Sequence, residues 1–298
     1  MKPAPFEYRR PDTLEEVLHL LAKHGEDAKL LAGGQSLIPT MNFRLAQPEV
    51  LIDLNRVPGL DAVSPTDDGS LRLGAMVRQA KAEKSPLVAE RAPLLTEALP
   101  HVAHAQIRNR GTIGGSLAHA DPRAELPAVM LALDASVQVQ GPAGGRSIEA
   151  DEFFPGFFGT AMDEGELLTG VLLPPASRNG GHAFLEVSRR HGDYALVGVA
   201  TSVTCDQTGR CDRVRIALLS VGSRPLLAEG ASACLAGESP SRAAVVAAAH
   251  AAGEQDIDPQ ADMHASTAYR RHLATVLVKR ALTTAFARAG FPIGEDSE

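Results

Sequence analysis

The stretch Lys29-Leu30-Leu31-Ala32-Gly33-Gly34-Gln35-Ser36-Leu37 decides the reading of this chain. Leu30-Leu31-Ala32 is a short apolar run that reads as a strand, and it leads directly into two adjacent glycines. Ser36 then stands where the cap of a brief helical turn is expected. A second pair of glycines follows about 80 residues later, in Thr112-Ile113-Gly114-Gly115-Ser116, reached through Ile107-Arg108-Asn109-Arg110-Gly111. Adjacent glycines let consecutive amides converge on one point, because no Cβ blocks a close approach. Such amides form a nest for an anion, and a pyrophosphate has the matching shape. Ser36, Thr112 and Ser116 add hydroxyl donors. Taken singly, each glycine pair also reads as an ordinary tight turn. Neither loop has the strand–G-x-G-x-x-G–helix spacing or the G-x-x-x-x-G-K-[ST] pattern, which disfavours a Rossmann site and a P-loop. What remains is a nucleotide-diphosphate cofactor held between two loops.

Working outward, Thr13 and Glu16 have capping-box spacing, and Leu14, Val17, Leu18 and Leu21 share the face of a helix that Gly25 stops. Val50 to Leu54 reads as the next strand. Asp68-Gly69 turns into a strand at Leu71 to Gly74. Ser85-Pro86 opens a helix through about Ala98. The stretch from Gln106 to Pro122 reads as a long, ordered, functional loop, since it ends against an apolar helix, Leu126 to Leu133. Val137 to Val139 and Leu167 to Leu173 are strands. Residues 176–181 read as a linker. Beyond it, strands at Ala183 to Val187, Leu196 to Thr204 and Val214 to Val221 precede two helices. The first is opened by Ser239-Pro240 and ends before Gly253. The second runs from Ser266 to Ala289. This gives an α+β fold in four parts: residues 1–57, 58–176, 177–290 and a tail, 291–298.

The chain of 298 residues has a hydrophobic share of 44% and a charged share of 22%, which excludes wholesale disorder. No apolar run reaches the roughly 18 residues of a membrane span. Met1-Lys2-Pro3-Ala4-Pro5 lacks the apolar segment of a secretory signal, so a cytoplasmic location is expected. With 29 Lys and Arg against 36 Asp and Glu, the surface does not suit nucleic acid, and 4% aromatics with no Trp leave few stacking platforms. Cys205, Cys211 and Cys234 are too few for a self-contained all-Cys iron–sulfur cluster and read as incidental thiols.

The ordered set of motifs resembles the FAD-binding medium subunit of the molybdenum hydroxylases, the group of carbon monoxide dehydrogenase and xanthine dehydrogenase. The residues that carry it are Ala32-Gly33-Gly34-Gln35-Ser36-Leu37, Arg44-Leu45 with Pro48, and Leu51-Ile52-Asp53-Leu54-Asn55. They continue through Arg108 to Ser116, Asp121-Pro122 and Arg189-Arg190-His191-Gly192-Asp193-Tyr194-Ala195. The resemblance implies a bipartite FAD-binding region of the vanillyl-alcohol-oxidase type and a C-terminal α+β domain like that of the CO dehydrogenase flavoprotein. It further implies that Lys29, Leu30, Leu31, Ala32, Gly33, Gly34, Gln35, Ser36 and Leu37 wrap the pyrophosphate and part of the flavin chain. Thr112, Ile113, Gly114, Gly115 and Ser116 would bind from the other side. Val102 and Ala103 would flank the flavin, and Glu125 would hold the adenosine end. Leu168 would make an apolar contact and Tyr194 would lie near the isoalloxazine ring. Three residues depart from the family pattern. Gln35 replaces a histidine of carbon monoxide dehydrogenase, and Glu125 replaces the usual aspartate. Glu186 stands where some members have lysine, so a cationic contact does not carry over there.

The function this implies is electron transfer through FAD. A partner small subunit with [2Fe–2S] clusters would deliver electrons from a molybdopterin-containing large subunit, and FAD would pass them to an external acceptor. No protein acid, base or nucleophile is expected to be essential, so no residue is assigned a catalytic role. Chemistry of this kind belongs to the cofactor. His101, His104, His119 and Asp121 can be assembled on paper into a metal site, with His101 and His104 at helical spacing. Nothing fixes that geometry, and no metal is expected. No Ser–His–Asp set stands out, and no cysteine-bearing insertion of the hydroxybenzoyl-CoA reductase type is present. A cofactor-free scaffold of the same fold and a free-standing flavin oxidoreductase are the alternatives. Bulky residues at Gly33 or Gly115 are expected to abolish FAD retention while the fold survives.

Overall fold

The computed structural model describes residues 1–177 and 179–294. Arg178 of the expected linker and residues 295–298 of the expected tail lie outside the described residues. The chain builds three sheets with helices packed on and between them.

The first sheet is parallel, in the order β1-β3-β2, and is formed by β1 (Glu7–Arg9), β2 (Ala28–Leu31) and β3 (Val50–Asp53). Two helices connect its strands, α1 (Leu14–His24) and α2 (Leu37–Asn42). The Thr13 hydroxyl accepts the Glu16 amide at 3.2 Å, and the Glu16 carboxylate reaches past Thr13 to accept the Asp12 amide. Val17 and Leu21 of α1 bury against Val50 and Ile52 in one apolar cluster. The central strand β3 is buried at all four positions, as a parallel strand covered on both faces should be.

The second sheet is antiparallel, β4-β5-β8-β6-β7. It comprises β4 (Val63–Pro65), β5 (Leu71–Gly74), β6 (Ser136–Gly141), β7 (Gly144–Glu149) and β8 (Leu167–Leu173). Between β5 and β6 run α3 (Gln79–Glu83), α4 (Pro86–Arg91), α5 (Pro93–Ala98), α6 (Ala105–Arg108), α7 (Ile113–His119) and α8 (Glu125–Leu133). The short α9 (Ala150–Phe153) follows β7. The single helix expected over residues 85–98 is divided. Ser85 caps it, but Ala92 sits at φ −141°, ψ 59° because Pro93 excludes its predecessor from helical backbone. The expected long loop at 106–122 is largely the two short helices α6 and α7. Their glycines are tolerated because tertiary contact demands them: a Cβ on Gly114 would lie 2.6 Å from Ala75 Cβ.

The third sheet is antiparallel, β12-β11-β10-β9. It contains β9 (Gly180–Ser188), β10 (Ala195–Cys205), β11 (Cys211–Leu219) and β12 (Leu226–Leu227), and is followed by α10 (Glu229–Ala233), α11 (Arg242–Glu254) and α12 (Thr267–Arg288). Gly180 and Gly181 belong to β9 and not to a linker. Gly181 lies directly on α12, where a Cβ would overlap the Ala285 carbonyl. The cap of α11 is Ser241, two residues after the expected position, and Gly253 lies inside that helix with Thr275 packed on it.

Helix α8 joins the second and third sheets. Eight of its nine residues are buried, so it is apolar all round in the manner of an internal helix. The core that surrounds it is continuous from Leu71 and Leu73 of β5 to Phe184, Ala200, Ala217 and Leu219 of the third sheet. Each fully buried Leu or Phe contributes about 1.5–3 kcal/mol. No helix among the described residues is long and apolar enough to cross a membrane.

A cleft between two glycine loops

Strand β2 ends at Leu31 and delivers Gly33-Gly34 to the start of α2. Gly34 has φ +73°, a conformation that side chains disfavour. Among the described residues no hydrogen bond engages the amides of Gly33, Gly34 or Gln35. Gln35 Nε2 donates to the Gly33 carbonyl at 3.1 Å and Asn55 Nδ2 donates to that of Ala32 at 3.2 Å, so the carbonyls are satisfied while the amides stay free. Ser36 does not cap α2 with its side chain; its backbone is helical and its carbonyl accepts the Thr40 hydroxyl at 2.7 Å.

The second loop is built differently. The Ile113 amide donates to Val77, that of Gly114 to Ala75 (both 2.9 Å), that of Gly115 to Thr112 Oγ1 (3.0 Å) and that of Ser116 to the Thr112 carbonyl (3.2 Å). Its amides are therefore committed within the protein. What it turns to the cleft is a hydroxyl pair, Thr112 and Ser116, on a glycine surface. The two loops are in contact. A Cβ on Gly33 would overlap the Arg110 carbonyl, and one on Gly115 would lie 3.4 Å from Ala32 Cβ. Arg78 clamps them, donating to the Arg110 carbonyl and to Asn55 Oδ1. Asn55 is held in turn by Asp53, which also accepts the Tyr8 hydroxyl.

Between the loops opens a cleft of about 700 Å³. Lys29, Leu30, Ala32, Gly33, Gly34, Gln35, Ser36, Leu37, Val102, Ala103, Thr112, Gly114, Gly115, Ser116, Glu125, Leu168 and Tyr194 all line it. Two other expected residues do not. Ile113 is buried in the core, and Leu31 faces a smaller cavity on the outer side of the first loop. The wall also includes residues that the sequence reading passed over, such as Thr40, Met76, Gln79, Phe158, Met162 and Glu166. Of these only Phe158 has a local signal, the Gly156 and Gly159 around the Phe157-Phe158 pair. Its φ is +50° and its ring lies 5.0 Å from that of His119. Arg78 had no signal, because its partners lie 23 and 32 residues away in sequence.

One end of the cleft is formed by the Val102-Ala103 segment and the β9–β10 loop. Arg108, buried and paired with Glu83 at 2.8 Å, donates to the Val102 carbonyl at 3.1 Å and so fixes that segment. Gly192, at φ +88°, packs on it: a Cβ there would lie 2.9 Å from the Ala103 carbonyl. Glu125 is 5% exposed, and burial pushes its pKa up to about 7. Tyr194 is 54% exposed; burial of its hydroxyl and the Asp121 carboxylate beside it raise its pKa. Glu125 and Tyr194 both line the cleft, with Asp121 and Ala124 of the segment before α8. His101 and His104 do not share a helix, since His101 ends a 3-10 turn and His104 precedes α6. The His101 ring instead pairs with Glu186 at 3.3 Å, which raises its pKa. Among the described residues no cluster of three or more His, Cys, Asp or Glu could hold a metal. Cys205 and Cys211 are buried neighbours across β10 and β11, and burial pushes the Cys211 thiol up to about 12.

These residues fit a dinucleotide with a diphosphate bridge. Three free amides face two hydroxyls, and Gln79 Oε1 is buried in the wall without a partner. The volume lies within the range of about 300–1,000 Å³ typical of ligand sites.

Comparison with known proteins gives the same direction. Residues 4–176 match the family model described as the FAD binding domain in molybdopterin dehydrogenase, and residues 182–285 match the CO dehydrogenase flavoprotein C-terminal domain. The chain is 46% identical over 289 residues to the 6-hydroxypseudooxynicotine dehydrogenase complex subunit alpha of Paenarthrobacter nicotinovorans, covering 97% of each. It is 40% identical to the carbon monoxide dehydrogenase medium chain of Hydrogenophaga pseudoflava, covering 97% of this chain and 99% of that one. A solved carbon monoxide dehydrogenase from Hydrogenophaga pseudoflava superposes with a TM-score of 0.93 at 41% identity, again over 97% and 99% of the two chains.

Proposed function

Since this chain belongs to the FAD-binding medium subunits of molybdenum hydroxylase complexes, we propose how its residues serve that role. The amides of Gly33, Gly34 and Gln35 hold the diphosphate of FAD, because these residues line the cleft and no hydrogen bond among the described residues engages their amides. Thr112 and Ser116 close on it from the opposite side with hydroxyls. Leu54, Val102, Ala103 and Leu168 line the cleft and exclude water, and Tyr194 covers the end nearest the surface. Arg78 and Arg108 position these groups without lining the cleft themselves. When bound, FAD supplies the redox chemistry, taking up electrons and giving them to an acceptor. The chain's part is to bind, orient and shield it, and no side chain here is assigned as acid, base or nucleophile.

In this reading an iron–sulfur small subunit delivers the electrons and a molybdopterin-containing large subunit oxidises the substrate in the cytoplasm. Support comes from the two curated relatives, which are named as a complex subunit and a medium chain. The division also suits a chain whose cysteines number three, with two of them buried in a hairpin. Substrate choice then lies with the large subunit.

The observation that carries the proposal is the asymmetry of the two touching loops, one with free amides and one whose amides are committed and which offers the Thr112 and Ser116 side chains. The test is purification of the full chain with its co-purifying polypeptides, followed by denaturation and assay of released flavin. One FAD per chain, with iron and molybdenum in the partners, is expected. A colourless chain that ignores added FAD would overturn it.

A further inference from the structure

We infer that Glu125 and the nearby His101–Glu186 pair form a proton-holding cluster in the cleft wall that makes FAD retention depend on pH. The inference rests on the reading of the cleft as the FAD site. Glu125 is the first residue of α8, and its slight remaining exposure is toward the cleft it lines. Among the described residues no side chain hydrogen-bonds or ion-pairs with its carboxyl group. Glu186, with a side chain 4% exposed, meets His101 Nδ1 through one oxygen, while its other oxygen, Oε2, is buried without a partner. The turn Leu99–His101 packs on α8, so two buried carboxyls and one imidazole lie in this part of the cleft wall, and a low-dielectric site does not hold both carboxyls as anions without a second cation.

Among the described residues no second cation is seen paired with either carboxyl; Arg189 of the β9–β10 loop pairs with Asp193. On the segment before α8, Arg123 is engaged with Asp262, and Asp121 adds negative charge. On α7, burial lowers the pKa of His119, which keeps it neutral. On α5, Glu97 is paired with Arg288 and His182. The β9–β10 loop brings His191, whose ring lies 6.4 Å from that of His101, and Tyr194. Arg213 and Arg215 of β11 sit at the far end of α8, with Asp134. Burial first and the Glu186 charge next therefore keep the proton on Glu125 up to a pH of about 7.

Protonated, the Glu125 carboxyl offers an O–H donor to the cleft. Ionised, it adds an anion beside a cofactor that itself carries a charged diphosphate. Binding that anionic cofactor raises the Glu125 pKa, so affinity is full below the value of the empty site and falls as pH rises through it. FAD is the probe. It is stripped from the full chain and titrated back between pH 6 and 8.5, with flavin fluorescence reporting the free fraction. The dissociation constant of the wild type is expected to rise about tenfold over this range, the change produced by one pH unit between empty and loaded pKa values. Glu125→Gln keeps a neutral donor and should hold FAD with a flat pH profile. Glu186→Gln removes the neighbouring like charge and should move the fall to lower pH. A flat wild-type profile overturns the inference, as does an unchanged pH dependence in Glu125→Gln. Failure of FAD to bind at any pH overturns the reading of the cleft itself.

Discussion

Gly33 packs on the Arg110–Gly111 peptide so closely that a Cβ at Gly33 would overlap the Arg110 carbonyl oxygen and lie 2.9 Å from Gly111 Cα. The two glycine loops are thus one packed unit, and neither can be altered at its point of contact without moving the other. The sequence alone suggested that a bulky residue at Gly33 would remove FAD and spare the fold. The contact ties the two outcomes together.

Gly33→Val is accordingly expected to lose flavin and also to destabilise the chain by about 1–3 kcal/mol, the usual range for overpacking a filled site. Gly115→Ala meets side-chain atoms and not backbone, the Thr112 hydroxyl at 2.6 Å and the Ala32 methyl at 3.4 Å, and should be milder on both counts. Flavin absorbance per polypeptide and a thermal melt check this. A Gly33→Val chain with unchanged flavin and melting temperature would contradict it.

Arg78 spans the loops without lining the cleft, so its replacement should act on affinity through geometry. Two hydrogen bonds from a charged donor are lost in Arg78→Met, at about 1.5–3 kcal/mol each as an upper range. A tenfold or greater rise in the FAD dissociation constant is expected, since about 1.4 kcal/mol is one decade. Fluorescence titration measures it, and an unaltered constant would remove Arg78 from the site's support.

Asp262 ties the third part of the chain to Arg123 in the segment before α8. It accepts the amides of His264 and Ala265 and the guanidinium groups of Arg123 (2.9 Å) and Arg270 (2.7 Å). Burial alone would raise its pKa, but these amides and Arg270 outweigh it and hold the carboxyl well below the usual range. Its folded pKa is thus depressed. The stability it supplies is present above an unfolded value of about 4 and is lost as pH falls through the folded one. Asp262→Ala leaves Arg270, 3% exposed, without its carboxylate, which should cost about 3–5 kcal/mol at neutral pH and flatten the acid limb. Urea unfolding from pH 3 to 7 is the check. Parallel pH profiles for variant and wild type would refute the linkage.

Removal of FAD should lower the melting temperature, because the cleft is bounded by elements from all three parts of the chain. At a hundredfold excess over the dissociation constant a ligand adds about 2.7 kcal/mol. For a chain of 298 residues that corresponds to roughly 4 °C. Calorimetry with and without added FAD measures it. Equal melting temperatures would mean that the cleft forms no stabilising contacts with the cofactor.

Much of the fold could be read from local chemistry. Capping by Thr13 and Ser85 and the strand at Leu71–Gly74 follow from neighbours a few residues apart. The readings that moved were those where a distant contact set the outcome. Gly181 packs in its strand directly beneath α12, and Gly114 sits in a helix where Ala75 leaves no room for a side chain.

By itself, then, the sequence determined the glycine pairs, the longer helices and strands and the resemblance that those motifs carry. Each depends on what a residue does to its own backbone, and φ freedom, capping and apolar spacing are local properties. Only the tertiary structure decided which amides remain free, that Arg78 clamps the loops, and that Glu125 shares its surroundings with His101 and Glu186. Hydrogen bonds and charges act over a few ångströms of space, whatever the distance along the chain, and only folding sets those separations.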